Sequence, residues 1–191
     1  MDGPSDDELL AMFREGDLDA FDALFDRHHV DVYHFACLML NGRNDAEDVL
    51  QDTFLAVARS ARAYSPRGRF RPWLMRIARN LCLNRLHSER LRRRVLAADG
   101  DFPDESASGA PAAPELLEWD EGMRAVHEAV RALPERQREA LALYAFEGMT
   151  YGEVSEALQA PMGTVKALIH RARAALALAL NHDQGAQRDD V

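Results

Sequence analysis

Apolar residues recur at helical spacing along most of the chain, and no stretch shows the sustained alternation that is typical of β-strands. The pattern predicts a short helix over 6–14, a longer one over 17–41, and a third running to about residue 64. In the third helix, apolar side chains fall at positions i, i+3, i+4, i+8 and i+11 between Ala46 and Val57. We therefore expect an all-α protein.

The third helix also carries a polar pattern. Asn44 is predicted as its N-cap, because Glu47 follows three residues later as in a capping box. Its outer face should hold three acids, Asp45, Asp48 and Asp52. Composition alone favours an ordinary solvated face, and a partner-binding face is the alternative.

A fourth helix, predicted from about 70 to 96, lies in a strongly basic segment. Residues 59–94 contain twelve arginines and one acid, Glu89, for a net charge of +11. The whole chain has a formal net charge of −9, so the remaining residues sum to −20. This segregation indicates a polyanionic partner for the basic segment.

Aromatic residues are interleaved with these arginines, which suits single-stranded nucleic acid because guanidinium groups hold phosphates and rings stack on bases. Phe70 and Trp73 are nevertheless expected in the core, since Trp73 shares a helix face with Ile77 and Leu81. Tyr64 differs because it lies at the edge of the turn predicted at "SPRG".

The composition changes after the fourth helix. Residues 97–115 are rich in Ala, Pro, Gly, Ser and acid and lack an apolar period, which predicts a flexible acidic linker. The chain should therefore contain two small helical domains, over 6–96 and 116–180, followed by a polar tail over 181–191.

The second domain contains "TYGEVSEALQAPMGTVKALIHRARAAL" (150–176), which predicts a short helix, a bend at "APMG" and a longer helix. The longer helix has one apolar stripe, and a basic face points away from it. The stripe consists of Val165, Ile169, Ala172 and Leu176. This layout is typical of a helix-turn-helix, and a helical hairpin with a solvated basic face is the alternative.

Composition limits the other possibilities. Apolar residues make up 47% of the 191 residues and charged residues 29%, as in soluble globular proteins. No signal peptide or bilayer-spanning run is recognised, so we expect a cytoplasmic protein without membrane insertion. Cys37 and Cys82 are expected to be buried small hydrophobic residues.

Metal, cofactor and enzyme chemistry are not expected. His28, His29, His34 and Cys37 crowd one helix, but no second ligand pair has zinc-site spacing. No phosphate-binding loop or dinucleotide fingerprint is present. We therefore predict no metal site, no cofactor and no enzymatic activity.

Three stretches resemble one known family. "LPERQREALALYAFEGMTYGEVSEALQAPMGTVKALIHRARAAL" resembles the promoter-binding domain of bacterial RNA polymerase sigma factors of the sigma-70 family, especially the small extracytoplasmic-function (ECF) class. "DAEDVLQDTFLAV" resembles the family's core-polymerase-binding helix, and "FRPWLMRIARNLCLNRLHSERLRR" its promoter-melting helix. The resemblance covers roughly residues 8–180.

The resemblance implies a transcription initiation factor that binds RNA polymerase core, recognises the −10 (downstream) and −35 (upstream) promoter elements, and promotes DNA melting. The domains over 6–96 and 116–180 would correspond to sigma regions 2 and 4. A helix-turn-helix regulator acting without core polymerase is the alternative, and the match of the first domain argues against it. A purely structural helical adaptor would leave the basic segment unexplained.

The resemblance also implies a role for particular residues. For the downstream element they are Tyr64, Arg67, Arg76, Arg79, Asn80 and Arg85. For the upstream element they are Lys166, Ala167, His170, Arg171 and Arg173. For the core-polymerase interface they are Asp48, Leu50, Gln51, Asp52 and Phe54.

The implied partners are RNA polymerase core, through the coiled coil of its largest subunit and its flap, promoter DNA, and an anti-sigma factor. The acidic linker would pass near the RNA exit path. One departure is that Ala167 and Leu168 stand where the family commonly has Ser-Arg. We therefore expect weak upstream affinity.

Overall fold

A computed structural model of the protein describes residues 3–40, 42–65, 68–98 and 121–186. Within these ranges the secondary structure is helical and includes no strand, which confirms the all-α prediction. The chain divides into two compact units, Met1–Ala112 and Ala113–Val191, as expected. None of the helices in the described ranges is long and apolar enough to cross a lipid bilayer.

Most of the predicted linker (97–115) and the end of the tail lie outside the described residues. The last helix of the first unit reaches Ala98, and the last helix of the second reaches Ala186. Both helices therefore continue past the ends predicted for them, at 96 and 180.

Among its described residues, the first unit contains four α-helices and one short 3-10 turn. They are α1 (Asp6–Arg14), α2 (Leu18–Met39), α3 (Arg43–Ser60), the 3-10 turn (Ala61–Ala63) and α4 (Phe70–Ala98). α2 packs against α1, α3 and α4, so it forms the centre of this unit. Its fully buried residues include Leu24, Val32, Phe35 and Leu38.

Local capping explains where these helices begin. Ser5 and Glu8 form a capping box at the start of α1, and Asp17 accepts a hydrogen bond from the backbone of Ala20 at the start of α2. The capping box predicted at Asn44 is wrong. α3 begins at Arg43 after Gly42, and Arg43 instead pairs with Glu47 at 2.9 Å, one helical turn away.

α3 buries its apolar side against α2. Ala46, Val49 and Val57 are fully buried. Phe54, predicted at the polymerase interface, is only 4% exposed, with its ring centroid 4.8 Å from that of Phe25. The prediction for Phe54 therefore needs correction, because a side chain in the aromatic core cannot reach a partner docked on the outer face.

Over residues 121–186, the second unit contains four α-helices, and one π-helical turn lies among them. They are α5 (Glu121–Arg131), α6 (Glu135–Leu141), the π-helical turn (Ala142–Phe146), α7 (Tyr151–Leu158) and α8 (Met162–Ala186). α8 packs against α5, α6 and α7. Its residues Val165, Ile169 and Ala172 are buried, as predicted, and Leu176 is half-buried.

The helix-turn-helix is set by local signals. Gly148 adopts φ +62° after the π-helical turn, and Thr150 then forms a capping box with Glu153 at the start of α7. α7 ends where Gln159 adopts the left-handed conformation, with φ 50°. The bend occupies 159–161, so Met162 and Gly163 of the predicted "APMG" bend belong to α8.

Neighbouring residues Phe54 and Leu55 provide a test of this packing. We expect Phe54→Ala to lower the free energy of unfolding of the first unit by about 3–5 kcal/mol, because it leaves a cavity in the aromatic core. Leu55 is 51% exposed, and Leu55→Ala should change the same quantity by about 0.5 kcal/mol or less. Hydrogen exchange of α2 and α3 amides in the full chain measures both, and equal losses would contradict the assignment.

Candidate nucleic-acid and polymerase interfaces

Three of the residues predicted to contact the downstream element lie together on α4. Arg76, Arg79 and Asn80 are spaced i, i+3 and i+4, so they share one side of the helix. The Arg79 guanidinium donates a hydrogen bond to the Asn80 side-chain oxygen at 3.2 Å. Asn80 is exposed and both arginines are half-exposed, so this side of α4 can meet a polyanion.

Tyr64 is held more firmly than its position at the edge of a turn predicts. Its hydroxyl donates to Asp7 Oδ1 at 2.8 Å, and its ring lies 4.6 Å from that of Trp73. Burial, followed by the hydrogen bond to Asp7, raises the pKa of Tyr64 well above its usual range. Arg67, predicted in the same region, lies outside the described residues.

Arg85 is separated from the other downstream-element residues. Nine residues at about 100° each place it on the opposite side of α4 from Arg76. Its guanidinium lies 2.9 Å from Asp52, 3.1 Å from Asp48 and 3.6 Å from Asp45. The Arg85 side chain therefore links α4 to the acidic side of α3. It does not lie on the face of α4 that carries Arg76.

The bonds to Asp48 and Asp52 also affect the ionisation of Arg85. Partial burial of Arg85 disfavours its charge, but the hydrogen bonds that it donates to these two carboxylates outweigh burial and raise the pKa of the guanidinium. Arg85 stays charged, and one cation partly neutralises three acids.

The outer face of α3 combines acidic, amide and apolar side chains. Asp48, Gln51, Asp52 and Leu55 are spaced i, i+3, i+4 and i+7, so they lie on one face. Asp48 and Asp52 keep 62% and 48% of their side-chain surface exposed despite the bonds to Arg85. Leu50, also predicted here, is half-buried.

Leu55 is the residue of this face that sequence reasoning missed. Leu55 is 51% exposed and lies beside Asp48, Gln51 and Asp52 on this face. The sequence did contain a signal, because Leu55 lies roughly opposite the apolar stripe that runs from Ala46 to Val57. An apolar residue outside the stripe of an amphipathic helix indicates a surface contact or a scattered exposed residue.

The predicted upstream-element residues all lie on the solvent side of α8. Lys166, Ala167, His170, Arg171 and Arg173 are exposed. Leu168 is half-buried, in agreement with its expected position beside the apolar stripe. The orientation predicted for this helix is confirmed.

Two tyrosines that were not predicted support the cations of α8. The rings of Tyr144 and Tyr151 stack with centroids 4.6 Å apart. The Arg173 guanidinium lies 5.0 Å from the Tyr144 centroid, and Lys166 Nζ lies 5.7 Å from that of Tyr151. Hydrogen bonding with Tyr151, and then with Arg173, lowers the pKa of Tyr144. The sequence carries no local signal for this cluster, because its members come from three segments.

The histidines considered as metal ligands have protein partners. His28 is buried, with Nε2 2.9 Å from Asp6 Oδ2, and the His29 ring stacks on Phe25. In the part of the chain that the structure describes, no group of three or more His, Cys, Asp or Glu side chains is arranged to hold a metal ion.

The geometry defines a two-unit helical protein with a basic helix-turn-helix in one unit and adjacent basic and acidic faces in the other. Protein-family comparison matches residues 24–92 to sigma-70 region 2 and residues 123–176 to sigma-70 region 4. Each match lies within one structural unit.

Similar proteins and structures agree. The chain is 31% identical over 180 residues to RNA polymerase sigma-H factor of Pseudomonas aeruginosa, covering 92% of this chain and 93% of that protein. It is 35% identical over 178 residues to the ECF sigma factor SigM of Mycobacterium tuberculosis, covering 93% and 86%. The solved structure of CnrH in complex with the cytosolic domain of CnrY matches with a TM-score of 0.69 and 27% identity, covering 94% of this chain and 99% of that one.

The chain belongs to the sigma-70 family of bacterial RNA polymerase sigma factors, in the ECF class. It is therefore a transcription initiation factor that acts with RNA polymerase core and recognises promoter DNA. A regulator acting without the polymerase is not favoured, because region 2 is present as well as region 4.

The bonds of Arg85 to α3 yield a stability prediction. We expect Arg85→Ala to lower the free energy of unfolding of the first unit by about 0.5–1 kcal/mol at low salt, because it unpairs neighbouring carboxylates. The loss should shrink at about 1 M salt, where exposed charges are screened. Arg94→Ala, which removes an exposed arginine from the same helix, is the matched control. Equal losses for both variants, independent of salt, would contradict this role.

Proposed function

We propose that the two faces of the first unit divide the work of initiation. The outer face of α3 docks on core polymerase, and the Arg76 side of α4 receives the unpaired strand of the downstream element. α8 of the second unit holds the upstream element as duplex. The observation that supports this division most directly is that Asp48 and Asp52 lie on a different face of the first unit from Arg76 and Asn80.

The docking face on α3 consists of Asp48, Gln51, Asp52 and Leu55. Leu55 replaces Phe54 in this assignment, because Leu55 is 51% exposed and Phe54 only 4%. An exposed apolar side chain flanked by acids and an amide suits a partner surface that is basic around an apolar contact. A coiled coil of the largest polymerase subunit is the partner that the family implies.

Arg85 already partly neutralises the docking acids. The side chains of Asp48 and Asp52 remain about half exposed, so each carboxylate has free acceptor positions for a second cation. We assign Arg85 to holding these carboxylates in place for the polymerase. A direct phosphate contact by Arg85 is not part of the proposal, since its guanidinium faces α3.

The downstream element is assigned to the opposite side of α4. Arg76 and Arg79 neutralise phosphates, and Asn80 offers both a donor and an acceptor to a base edge. Capture of an unstacked base offsets an unpairing cost of a few kcal/mol, so binding energy alone opens the duplex. No catalytic group is needed, and we propose that the chain has no enzymatic activity.

The upstream element is assigned to α8 in the major groove. Lys166, His170, Arg171 and Arg173 supply the cations, and Ala167 offers a methyl group to a thymine methyl. The ring beneath Arg173 limits the positions open to its guanidinium and so lowers the entropy that binding must remove. Leu168 cannot replace the arginine that the family commonly carries there, so we expect weak upstream affinity.

Further partners follow from the family. The CnrH structure contains the cytosolic domain of CnrY, and we propose that this chain is likewise held by an anti-sigma factor. A factor that works on chromosomal promoters acts in the cytoplasm.

The acidic linker is assigned to the RNA exit path of the polymerase, where its negative charge mimics that of RNA. The second unit is assigned to the polymerase flap.

Run-off transcription tests the proposal as a whole. Purified chain and core polymerase are incubated with fragments of the host genome, and the 5′ ends of the transcripts are sequenced. We expect initiation at a shared pair of sequence elements that depends on the chain. Failure to direct core polymerase to any start site, with no inhibitor bound, would overturn the proposal.

A pair of variants tests the division of labour. We expect Asp52→Ala to weaken binding of the chain to core polymerase about five- to thirtyfold and to leave promoter recognition by the assembled holoenzyme unchanged. Arg171→Ala should weaken binding of duplex upstream DNA by a similar factor and leave core binding unchanged. Fluorescence anisotropy measures each affinity, with Asp22→Ala as a surface-charge control. If both variants damaged the same affinity equally, the assignment of faces would be wrong.

A further inference from the structure

Two side chains of α1 form hydrogen bonds with the segment that follows α3. Asp7 and Arg14 are seven residues apart, so they lie on one face of α1, two turns from each other. Arg14 Nε donates to the Ala61 carbonyl at 2.7 Å, and its Nη2 donates to the Tyr64 carbonyl. These bonds fix the backbone on the side of the segment next to α3.

Asp7 holds two positions that are four residues apart in the sequence. Its Oδ1 accepts a hydrogen bond from the Tyr64 hydroxyl at 2.8 Å. Its Oδ2 accepts a hydrogen bond from the Gly68 backbone N–H at 2.6 Å. Gly68 has φ +65°, a conformation that favours glycine, and the hydrogen bond that it donates to Asp7 holds the backbone there.

The ring of Tyr64 is already packed within the protein. The Trp73 ring lies 4.6 Å away at 39°, and the Phe70 ring meets it nearly edge-on at 6.2 Å. The Arg14 guanidinium lies 6.0 Å from the Tyr64 centroid. The hydroxyl and the carbonyl of Tyr64 are hydrogen-bonded, and its ring packs against other aromatic rings. We therefore assign Tyr64 a structural role and do not assign it to stacking on a base.

We propose that Asp7 is a positioning residue for base capture, which holds Tyr64 against Trp73 and fixes Gly68 just before α4, the helix that carries Arg76 and Asn80. The inference rests on the proposed role of the first unit in the downstream element. Tyr64 and Gly68 are held before DNA arrives and do not lose that conformational freedom on binding, so more of the contact energy appears as affinity. Asp7 acts through Tyr64 and Gly68 and need not touch DNA itself.

The test uses holoenzyme assembled from the full chain and core polymerase, and single-stranded oligonucleotides that carry the downstream element. One abasic site is introduced at a time, and the position where it weakens binding by wild type most identifies the captured base. Affinity is then compared for the intact oligonucleotide and for the oligonucleotide that is abasic at this position. Asp7→Ala, Tyr64→Phe and Asp7→Asn are measured beside the control Asp22→Ala, which removes an exposed acid from α2.

We expect Asp7→Ala to weaken binding of the intact oligonucleotide about five- to tenfold and of the abasic one by about twofold or less. Tyr64→Phe, which removes one of the two bonds to Asp7, should show about a threefold loss on the intact oligonucleotide. Asp7→Asn keeps an acceptor oxygen and should recover part of the affinity. Asp22→Ala should behave as wild type.

The outcomes separate the two proposals. If no abasic position weakens binding by wild type, base capture by the first unit fails, and the inference fails with it. If wild type shows such a position and Asp7→Ala weakens both oligonucleotides equally, Asp7 merely stabilises the fold and the positioning role is overturned. An increase in affinity for the intact oligonucleotide on Asp7→Ala would also overturn it.

Discussion

The first unit depends on burial of the apolar sides of α2, α3 and α4 against one another. Removing side chains such as Leu24, Val49 and Leu74 from water supplies most of the favourable free energy, and it sets the rotation of each helix about its axis. Once the rotation is set, most charged residues take the side that the core leaves free. The acids of α3 and the arginines of α4 therefore occupy defined faces. Electrostatic interactions alone would instead separate like charges and pair opposite ones.

Arg85 lies where these two charged surfaces meet. It belongs to the basic helix, yet its guanidinium pairs with Asp48 and Asp52 of the acidic one. The pairing reduces repulsion along α3 and links the docking face to the helix that is assigned to the melted strand. A surface bridge of this kind contributes little to stability, so its main consequence is the orientation of the carboxylates.

In both units, aromatic rings pack against polar groups that are assigned to nucleic-acid binding or support it. In the first unit, Trp73 and Phe70 pack around Tyr64, and Tyr64 in turn is bound by Asp7. In the second unit, the stacked rings of Tyr144 and Tyr151 lie beneath Arg173 and Lys166. In both cases, a rigid ring reduces the number of conformations open to the group that it contacts, which would lower the entropic cost of the proposed binding.

The sequence by itself determined the helical class, the two units, the direction of the α8 face and the family, because apolar period, capping signals and motifs are all local in the chain. It placed Val165 and Ile169 in the core and Arg171 outside it for that reason. Only the tertiary structure decided that Arg85 turns toward α3 and that Asp7 holds Tyr64. Asp52 and Arg85 are 33 residues apart, and Asp7 and Tyr64 are 57 apart. Contacts across such separations depend on how whole helices pack, which no local pattern encodes.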